Sequence, residues 1–490
     1  MPLAETDTPD WVRDAIFYQI FPDRFARSLT VPKPAHLDEW GAPPTWHGYQ
    51  GGDLIGVLER LDYLCDLGIN AIYFTPIFQS ASNHRYHTHD YEKVDPMLGG
   101  NDALRRLLDA AHAHGIKIVL DGVFNHASRG FFQFHDILEN GENSAYLDWF
   151  TVSEFPLNAY DTKKKPTYKA WWNLHALPKF NIATPAVREY LLGIGGKWID
   201  FGIDGWRLDV ANEIEDDTFW QEFRRRVRAA NPQAYIVGEV WSDATRWLNN
   251  GDMWDAVMNY QFTRACLAFF AGSSLNVDEL KRTSLFPVGP TDAPTFRRNL
   301  ERLQQLYPWS VTSAMLNLLD SHDTARFITL AGGDRSALVM ATLFQMTYPG
   351  APSIYYGDEI GLSGGHDPAN RGAFPWHKSD VWDTDLLHQF QRMIALRKAR
   401  PALRRGDFTV LLAENDACVF ARSLASETIV VAFNVSRSTR RCDIPLPSSM
   451  DGTRFDTVWS HETQAVTGGK LMGVEIPPRA GKVLATPIPS

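Results

Sequence analysis

Short apolar runs rich in β-branched and aromatic residues alternate with stretches of helical periodicity over the first 360 positions of the chain. Parallel strands joined by crossover helices produce this alternation. The stretch 102–114 is apolar on one face and ends at Gly115, as expected of a crossover helix. Eight apolar runs are found, at 15–20, 71–75, 117–123, 203–210, 235–240, 255–260, 314–319 and 353–356. The pattern predicts an α/β protein with a (β/α)8 TIM barrel, whose functional residues follow the carboxyl ends of the strands.

Two regions depart from this alternation. The segment 127–181 follows the third run, is rich in aromatic residues and is too long for a plain loop, which predicts an inserted subdomain. After a helix around 386–397, alternating runs at 408–412, 418–423 and 428–434 predict a C-terminal antiparallel β-sandwich. We therefore expect a barrel formed by 1–126 and 182–400, an inserted subdomain at 127–181 and a sandwich at 401–490.

Composition narrows the classes of protein. Of 490 residues, 44% are hydrophobic and 22% charged, which is typical of a globular protein. The net charge of -10 repels a phosphate backbone and argues against nucleic acid as a partner. No apolar run approaches the ~18 residues that span a membrane.

The cysteines and the N-terminus bear on the cellular compartment. The cysteines are dispersed and form neither a zinc nor a redox motif. They are Cys65, Cys266, Cys418 and Cys442. Acidic residues and prolines occupy 1–10, where a signal peptide carries a basic segment followed by an apolar one. We expect a cytoplasmic protein with reduced thiols.

Three of the predicted strands end in carboxylates, at Asp209, Glu239 and Asp323. A single acid at such a position more often caps a helix or a turn, but three at the mouth of one barrel indicate catalysis. Arg207 lies two residues before Asp209, so both side chains share a face, where the guanidinium can keep the carboxylate charged and aimed. Such a carboxylate suits a nucleophile.

Glu239 has a different setting, because it follows an apolar run and precedes Trp241. Removal from water favours a protonated carboxyl group, as a general acid requires. His126 and His322 also lie at strand ends and supply donors for hydroxyl groups. Aromatic residues make up 12% of the chain, and their rings suit stacking on sugars.

Four segments resemble, in order, the sequence regions that mark the α-amylase family of retaining glycoside hydrolases. They are DGVFNH at 121–126, GWRLDVANE at 205–213, GEVW at 238–241 and LDSHDT at 319–324. Within that family, VANE at 210–213 and LPKF at 177–180 resemble the neopullulanase, cyclomaltodextrinase and maltogenic amylase group. The usual member has MPKL in place of LPKF, and Gly in place of Asp320.

The resemblance implies a role for each matching residue. Asp209 corresponds to the nucleophile, Glu239 to the acid/base and Asp323 to the transition-state stabiliser. Tyr86 corresponds to the aromatic platform under the reacting sugar, and Asp367 and Arg371 to a pair that grips its hydroxyl groups. The implied substrate-binding residues are Tyr86, His126, Arg207, Glu213, Trp241, His322, Asp367 and Arg371.

Two features of the group differ in this sequence. The additional N-terminal β-domain that builds the group's dimer is not seen, so we expect a monomer, or a dimer unlike the domain-swapped dimer of relatives. Many members bind calcium through an Asn/Asp-rich loop and a Gly-Gly-Asp turn. The turn persists at 51–53, but 26–33 contains no Asn or Asp, which leaves too few of the roughly 6–8 oxygen ligands of calcium. We expect no cofactor and no metal site, with a structural calcium ion left open as a weakly supported alternative.

The sequence thus predicts a retaining hydrolase that cleaves α-1,4 glucosidic bonds in malto-oligosaccharides, cyclodextrins, pullulan or starch. It leaves open whether the enzyme also cleaves α-1,6 bonds and whether it also catalyses transglycosylation. The near alternative is an α-glucosidase or oligo-1,6-glucosidase with a blocked pocket. A non-enzymatic amylase-like scaffold usually lacks the acids or has a membrane anchor. A metal-dependent barrel hydrolase would need His or Cys ligand sets that the strand ends lack.

Two alternatives apply to the aromatic residues of the insertion: they fold over the sugar-binding end and leave a pocket for short oligosaccharides, or they form only the small core of the insertion. If the insertion does not fold over the site, the uncovered cleft should admit polymers. The residues concerned are Phe131, Phe132, Phe134, Trp149, Phe150, Trp171 and Trp172.

Overall fold

The computed structural model describes residues 6–425 and 427–487. The first strands in chain order are β1 Phe17–Ile20, β2 Ala71–Phe74, β3 Phe78–Ser80, β4 Thr88–Val94, β5 Lys117–Gly122, β6 Gly205–Leu208, β7 Tyr235–Gly238, β8 Ala256–Val257, β9 Leu316–Leu318 and β10 Ala351–Tyr355. They are followed by β11 Asp407–Glu414, β12 Ala417–Leu424, β13 Glu427–Asn434, β14 Arg440–Pro445, β15 Arg454–Thr457, β16 Thr463–Ala465, β17 Lys470–Ile476 and β18 Ala480–Ala485.

The α-helices connect these strands and cover them. They are α1 Trp11–Asp14, α2 Pro22–Phe25, α3 Leu54–Leu58, α4 Leu61–Leu67, α5 Gly100–Ala113, α6 Phe132–Asn140, α7 Pro185–Asp200, α8 Asp217–Ala230, α9 Thr245–Leu248, α10 Tyr260–Cys266, α11 Val277–Leu280, α12 Ala293–Leu306, α13 Trp309–Thr312, α14 Phe327–Leu330, α15 Arg335–Thr347, α16 Thr384–Ala399 and α17 Pro401–Arg405. In the described part of the chain, none of them is both long and apolar enough to cross a bilayer.

Each of the eight predicted runs overlaps one observed parallel strand, although β10 begins at Ala351, two residues before the predicted run 353–356. The chain divides into two compact units, one built mainly from Phe17–Met258 with Arg371–Ser379, the other mainly from Asn259–Asn370 and the residues after Asp380. In the first unit the parallel strands run in the order β8-β7-β6-β5-β2-β1, and in the second β10 pairs with β9. These are the eight strands of a (β/α)8 barrel, so the predicted fold class is confirmed.

Strand β8 is the shortest barrel strand and is shorter than the predicted run 255–260. The reason is Asn259, whose side chain accepts a hydrogen bond from the Phe262 backbone N at 3.1 Å and begins α10. A residue whose side chain caps a helix ends the strand before it. The sequence also gave no indication of the antiparallel hairpin of β3 and β4, whose connecting loop carries Tyr86.

The insertion has a small aromatic core of its own. Phe131, Phe134, Trp149 and Phe150 are buried, and the Phe134 and Phe150 rings meet edge to face at 5.0 Å. The second alternative for the insertion therefore describes these four residues. It does not describe Trp172, which is exposed.

The C-terminal region consists of antiparallel sheets. One has the order β11-β12-β13-β18-β15-β16, and β14 pairs with β17 in the other. Val430 and Phe455 of the larger sheet and Ile444 and Leu471 of the smaller one belong to the same buried cluster. Two sheets around one apolar core form a sandwich, as the period-two pattern predicts.

Candidate active site

Asp209 follows the end of β6, where its backbone N donates to the Gly122 carbonyl at 3.1 Å. Arg207, on the same face of the strand, is fully buried, and its Nη1 donates to Asp209 Oδ1 at 2.9 Å. The contact expected from strand alternation is therefore present. Val210 then takes a left-handed φ of 38°, which turns the chain out of the strand.

Glu239 follows β7, the neighbour of β6, with Leu208 and Gly238 in register. Its Oε2 lies 2.9 Å from Arg207 Nη2 and accepts a hydrogen bond from the Val210 backbone N at 2.9 Å. Its Oε1 accepts from Trp241 Nε1 at 2.8 Å. One guanidinium therefore holds carboxylates from the ends of two adjacent strands, and an indole fixes the second of them.

Asp121 is the third carboxylate on this guanidinium, with both oxygens 3.0 Å from Arg207 Nη1. Its Oδ2 also accepts hydrogen bonds from the hydroxyl groups of Tyr73 and Tyr86, each at 2.8 Å. Complete burial raises the pKa of Asp121, although Arg207 opposes the shift. Burial also opposes the charge on Arg207, but the charges of Asp121 and Glu239 outweigh it and raise the pKa of Arg207. The arginine therefore stays charged, and Asp121 fixes the hydroxyl group of Tyr86.

His126 is buried beside this group of residues. Burial, and secondarily the charge of His87, lowers the pKa of His126 to about 3. The ring is therefore neutral near pH 7, with one nitrogen that donates and one that accepts, as recognition of a sugar hydroxyl group requires. The His126 backbone bridges to Lys179, whose Nζ donates to the Glu213 carbonyl at 2.8 Å and to Glu213 Oε2 at 3.2 Å.

Asp323 lies in the second unit, in the segment after β9. Its Oδ2 is 3.2 Å from His322 Nε2, and its backbone N donates to Ser321 Oγ at 3.2 Å. Asn370 Nδ2 lies 2.7 to 3.2 Å from the carbonyl oxygens of Ser321, His322 and Thr324, so one buried amide holds the whole segment.

Asp320, which stands where the related group usually has Gly, is buried in the same unit. Its Oδ2 accepts from the Phe327 backbone N at 2.5 Å. Asp320 also shares a hydrogen bond with Asp358, and burial raises the pKa of both carboxyl groups. A hydrogen bond between two carboxyl groups needs a proton on one of them. Asp320 therefore anchors the end of the Asp323 segment rather than binding substrate.

The remaining two predicted residues lie in different units. Asp367, in the second, is partly exposed and precedes a cis peptide bond to Pro368. Arg371, in the first, has its guanidinium over the Phe21 ring at 5.4 Å, and its carbonyl oxygen accepts from Arg24 Nη1 at 3.2 Å.

The Gly-Gly-Asp turn does not fit a calcium site. Asp53 Oδ1 accepts from the Gly56 backbone N at 2.7 Å, and Oδ2 accepts from the Ser28 backbone N at 3.0 Å and lies 2.9 Å from Lys33 Nζ. The Lys33 ammonium group therefore occupies the position beside Asp53 that a calcium ion would take. Within 6–425 and 427–487, no group of three or more His, Cys, Asp or Glu side chains is arranged to hold a metal ion.

Sequence reasoning missed three contributors to this site, namely Asp121, Tyr73 and Lys179. Tyr73 shares the Asp121 oxygen with Tyr86, but a tyrosine inside an apolar strand has the pattern of a core residue. Lys179 belongs to the LPKF segment, which was noted only as a mark of the group. The sequence separation between Lys179 and Glu213 follows no helix or strand period that would indicate a contact, because the two residues lie on separate loops.

Comparison with known proteins agrees with this geometry. The protein-family model for the α-amylase catalytic domain matches residues 19–406 of this chain. A cyclomaltodextrinase of Bacillus sp. is 46% identical over 90% of this chain and 76% of its own length, and neopullulanase 2 of Thermoactinomyces vulgaris is 41% identical over 94% and 76%. The crystal structure of a debranching enzyme from Nostoc punctiforme has a TM-score of 0.90 and 47% identity, with 99% of this chain and 100% of that chain covered.

The matched catalytic domain spans most of the chain, and the identities far exceed those of chance resemblance. The first three segments that suggested the resemblance contain the carboxylates that contact Arg207. The fourth contains Asp323. On this evidence the chain belongs to the α-amylase family, within its cyclomaltodextrinase, neopullulanase and maltogenic amylase group.

Proposed function

We propose that this α-glucan hydrolase of the cyclomaltodextrinase, neopullulanase and debranching type cleaves α-1,4 and α-1,6 glucosidic bonds with retention of configuration. The observation that carries the proposal is the Arg207 guanidinium, which lies 2.9 Å from Asp209 Oδ1 and 2.9 Å from Glu239 Oε2. Two carboxylates with different surroundings on adjacent strands are the requirement of a double-displacement glycosidase.

In this mechanism Glu239 donates a proton to the glycosidic oxygen while Asp209 attacks the anomeric carbon, and the bond to the leaving group breaks. Asp323 supports the positive charge that develops on the sugar. Glu239 then takes a proton from water, whose oxygen displaces Asp209 and regenerates the carboxylate. Each displacement inverts the anomeric carbon, so the product keeps the α configuration.

The surrounding residues bind the substrate. Tyr86, with its hydroxyl group fixed by Asp121, supplies the aromatic face under the reacting glucose. His126, His322, Asp367 and Arg371 bind its hydroxyl groups, and Glu213 and Trp241 contact the sugar beyond the cleaved bond. These assignments follow the match of each residue to the family segments.

The proposal extends to the cellular setting. We place the enzyme in the cytoplasm as a monomer or a dimer unlike the domain-swapped dimer of relatives. The free thiols support this compartment, because secreted proteins tend to pair their cysteines.

The experiment is a product analysis. The protein is incubated with cyclodextrin, pullulan, starch and maltotriose, and the products are followed by chromatography and, within the first minutes, by proton NMR. We expect cleavage of cyclodextrin and pullulan and α-anomeric products. Release of only single glucose units would favour the α-glucosidase alternative, and a first-formed β anomer would exclude the double displacement.

A further inference from the structure

Trp172 lies at the tip of a short hairpin in the inserted subdomain, with 72% of its surface exposed. Its backbone is left-handed, with φ 49°, and that of Asn173 follows with φ 57°. A bulky residue seldom adopts this conformation, and it persists where the surroundings impose it, often at ligand sites. The protein therefore holds a large apolar ring in water with an unfavourable backbone.

The hairpin that presents this ring is fixed by backbone hydrogen bonds. Trp171 N donates to the Leu177 carbonyl at 3.0 Å, Leu177 N to the Leu174 carbonyl at 2.9 Å, and Lys179 N to the Lys169 carbonyl at 2.9 Å. These bonds fix the backbone on both sides of Trp172. Its outer face is thus a preformed surface, which lowers the entropy cost of binding a ligand.

The inner face of Trp172 begins a ladder of rings. Trp172 stacks on Trp171 with centroids 4.5 Å apart and planes at 13°, and Trp171 stacks on His126 at 5.4 Å and 17°. Trp171 Nε1 is buried and has no hydrogen-bond partner among the described residues. The exposed ring is therefore connected, ring by ring, to a predicted substrate-binding residue.

We infer that the outer face of Trp172 is the platform of a further sugar subsite, which binds a glucose residue of an α-glucan chain remote from the cleaved bond. This inference rests on the proposed function, because the chain that reaches the platform is the substrate. The apolar face of a glucose ring covers the indole while its hydroxyl groups stay in water.

The test compares substrates of different length. In Trp172→Ala, kcat/KM for maltohexaose falls about tenfold, whereas kcat/KM for an aryl α-glucoside falls less than about twofold. Trp172→Phe keeps an aromatic face and recovers most of the loss. Trp459→Ala removes another partly exposed indole, which lies against Arg392 in the second unit, and leaves both values unchanged.

A second measurement separates this inference from the proposed function. Calorimetric titration of maltohexaose and of glucose into Asp209→Asn, with and without Trp172→Ala, reports binding without hydrolysis. Loss of Trp172 weakens binding of maltohexaose about tenfold and leaves that of glucose unchanged. Equal losses for long and short ligands, or no loss for either, would overturn the subsite. A wild-type protein that cleaves no α-glucan would instead overturn the proposed function, and the titration would still decide the subsite.

Discussion

Arg207 Nη2 lies 2.9 Å from Glu239 Oε2, while Nη1 of the same guanidinium lies 2.9 Å from Asp209 Oδ1. The planar fork of arginine presents its two terminal nitrogens in a fixed geometry, which the compact ammonium group on the flexible lysine side chain does not. The two carboxylates are therefore held in one fixed relation before substrate arrives. Preorganised charge of this kind is a main source of catalysis in enclosed sites.

The first prediction follows from this fork. Arg207→Lys keeps the positive charge but releases one carboxylate, so we expect kcat to fall by about 10²-fold or more, with a smaller change in KM. Arg224→Lys is the matched control, since Arg224 pairs with buried Asp255 at 2.7 Å but contacts neither Asp209 nor Glu239. An Arg207→Lys enzyme as active as the control would contradict the role of the fork.

The second prediction concerns the carboxylates themselves. Asp209→Asn and Glu239→Gln preserve size and most hydrogen-bonding capacity but lose the nucleophile or the transferable proton. We expect each to lower kcat by about 10³-fold or more without loss of the circular dichroism spectrum. Glu213→Gln, beside Lys179 and outside the Arg207 group, is expected to retain far more activity. Near wild-type hydrolysis of maltotriose by either variant would show that its carboxylate is not catalytic.

The third prediction is a pH dependence of stability. Burial lowers the pKa of His87 from 6.5 to about 4. Between those values the unfolded chain binds more protons at His87 than the folded protein, so the contribution of His87 to stability falls as the pH falls through this window. His87→Asn removes that penalty. We therefore expect the thermal midpoint of the variant, relative to wild type, to rise when the pH is lowered from 7 to 5.

The control for this measurement is His461→Asn, which replaces an exposed histidine of the C-terminal region. Its midpoint relative to wild type should not move over the same pH range. If the difference in thermal midpoint between His87→Asn and wild type also stays constant from pH 7 to 5, burial does not disfavour the charged form of the His87 ring.

The fourth prediction concerns Lys33. Because its ammonium group contacts Asp53 Oδ2 at 2.9 Å and the Met97 carbonyl at 2.6 Å, we expect EDTA to leave the thermal midpoint unchanged. Lys33→Met leaves buried Asp53 without its cation and should cost about 3 kcal/mol of stability. Lys482→Met is the control, because its partner Glu462 is largely exposed to water, and it should cost much less stability than Lys33→Met. Destabilisation by EDTA that calcium reverses would contradict this account.

The elements that the sequence predicted best are those fixed by local patterns. The eight runs of the barrel and the contact of Arg207 with Asp209 follow from strand periodicity, which a single segment carries. The reach of Arg207 to Glu239 depends on the pairing of β6 with β7, in which Leu208 meets Gly238. The periodicity of one strand does not predict which residues of two neighbouring strands are paired. The sequence analysis therefore placed Asp209 and Glu239 at the barrel mouth but did not predict that Arg207 contacts both.

Other features depend on contacts between distant loops. The Lys33 contact with Asp53 joins residues separated by a proline-rich stretch without periodicity. Trp172 stacks on Trp171 and has a left-handed backbone that propensity disfavours for tryptophan. The sequence counted these rings together with Phe131 and Phe150, which lie in a core. Burial in the structure separates Phe131 and Phe150 from the exposed Trp172.

The most direct test of the central claim is the stereochemistry of azide rescue, with an activated α-glucoside as substrate. In Glu239→Ala, Asp209 still forms the glucosyl-enzyme, azide displaces it, and two inversions give the α-glucosyl azide. In Asp209→Ala, azide attacks the substrate itself while Glu239 still assists departure, and one inversion gives the β-glucosyl azide. Proton NMR distinguishes the two products. The α product from Glu239→Ala and the β product from Asp209→Ala are the results that the assignment predicts, and the opposite pair would contradict it.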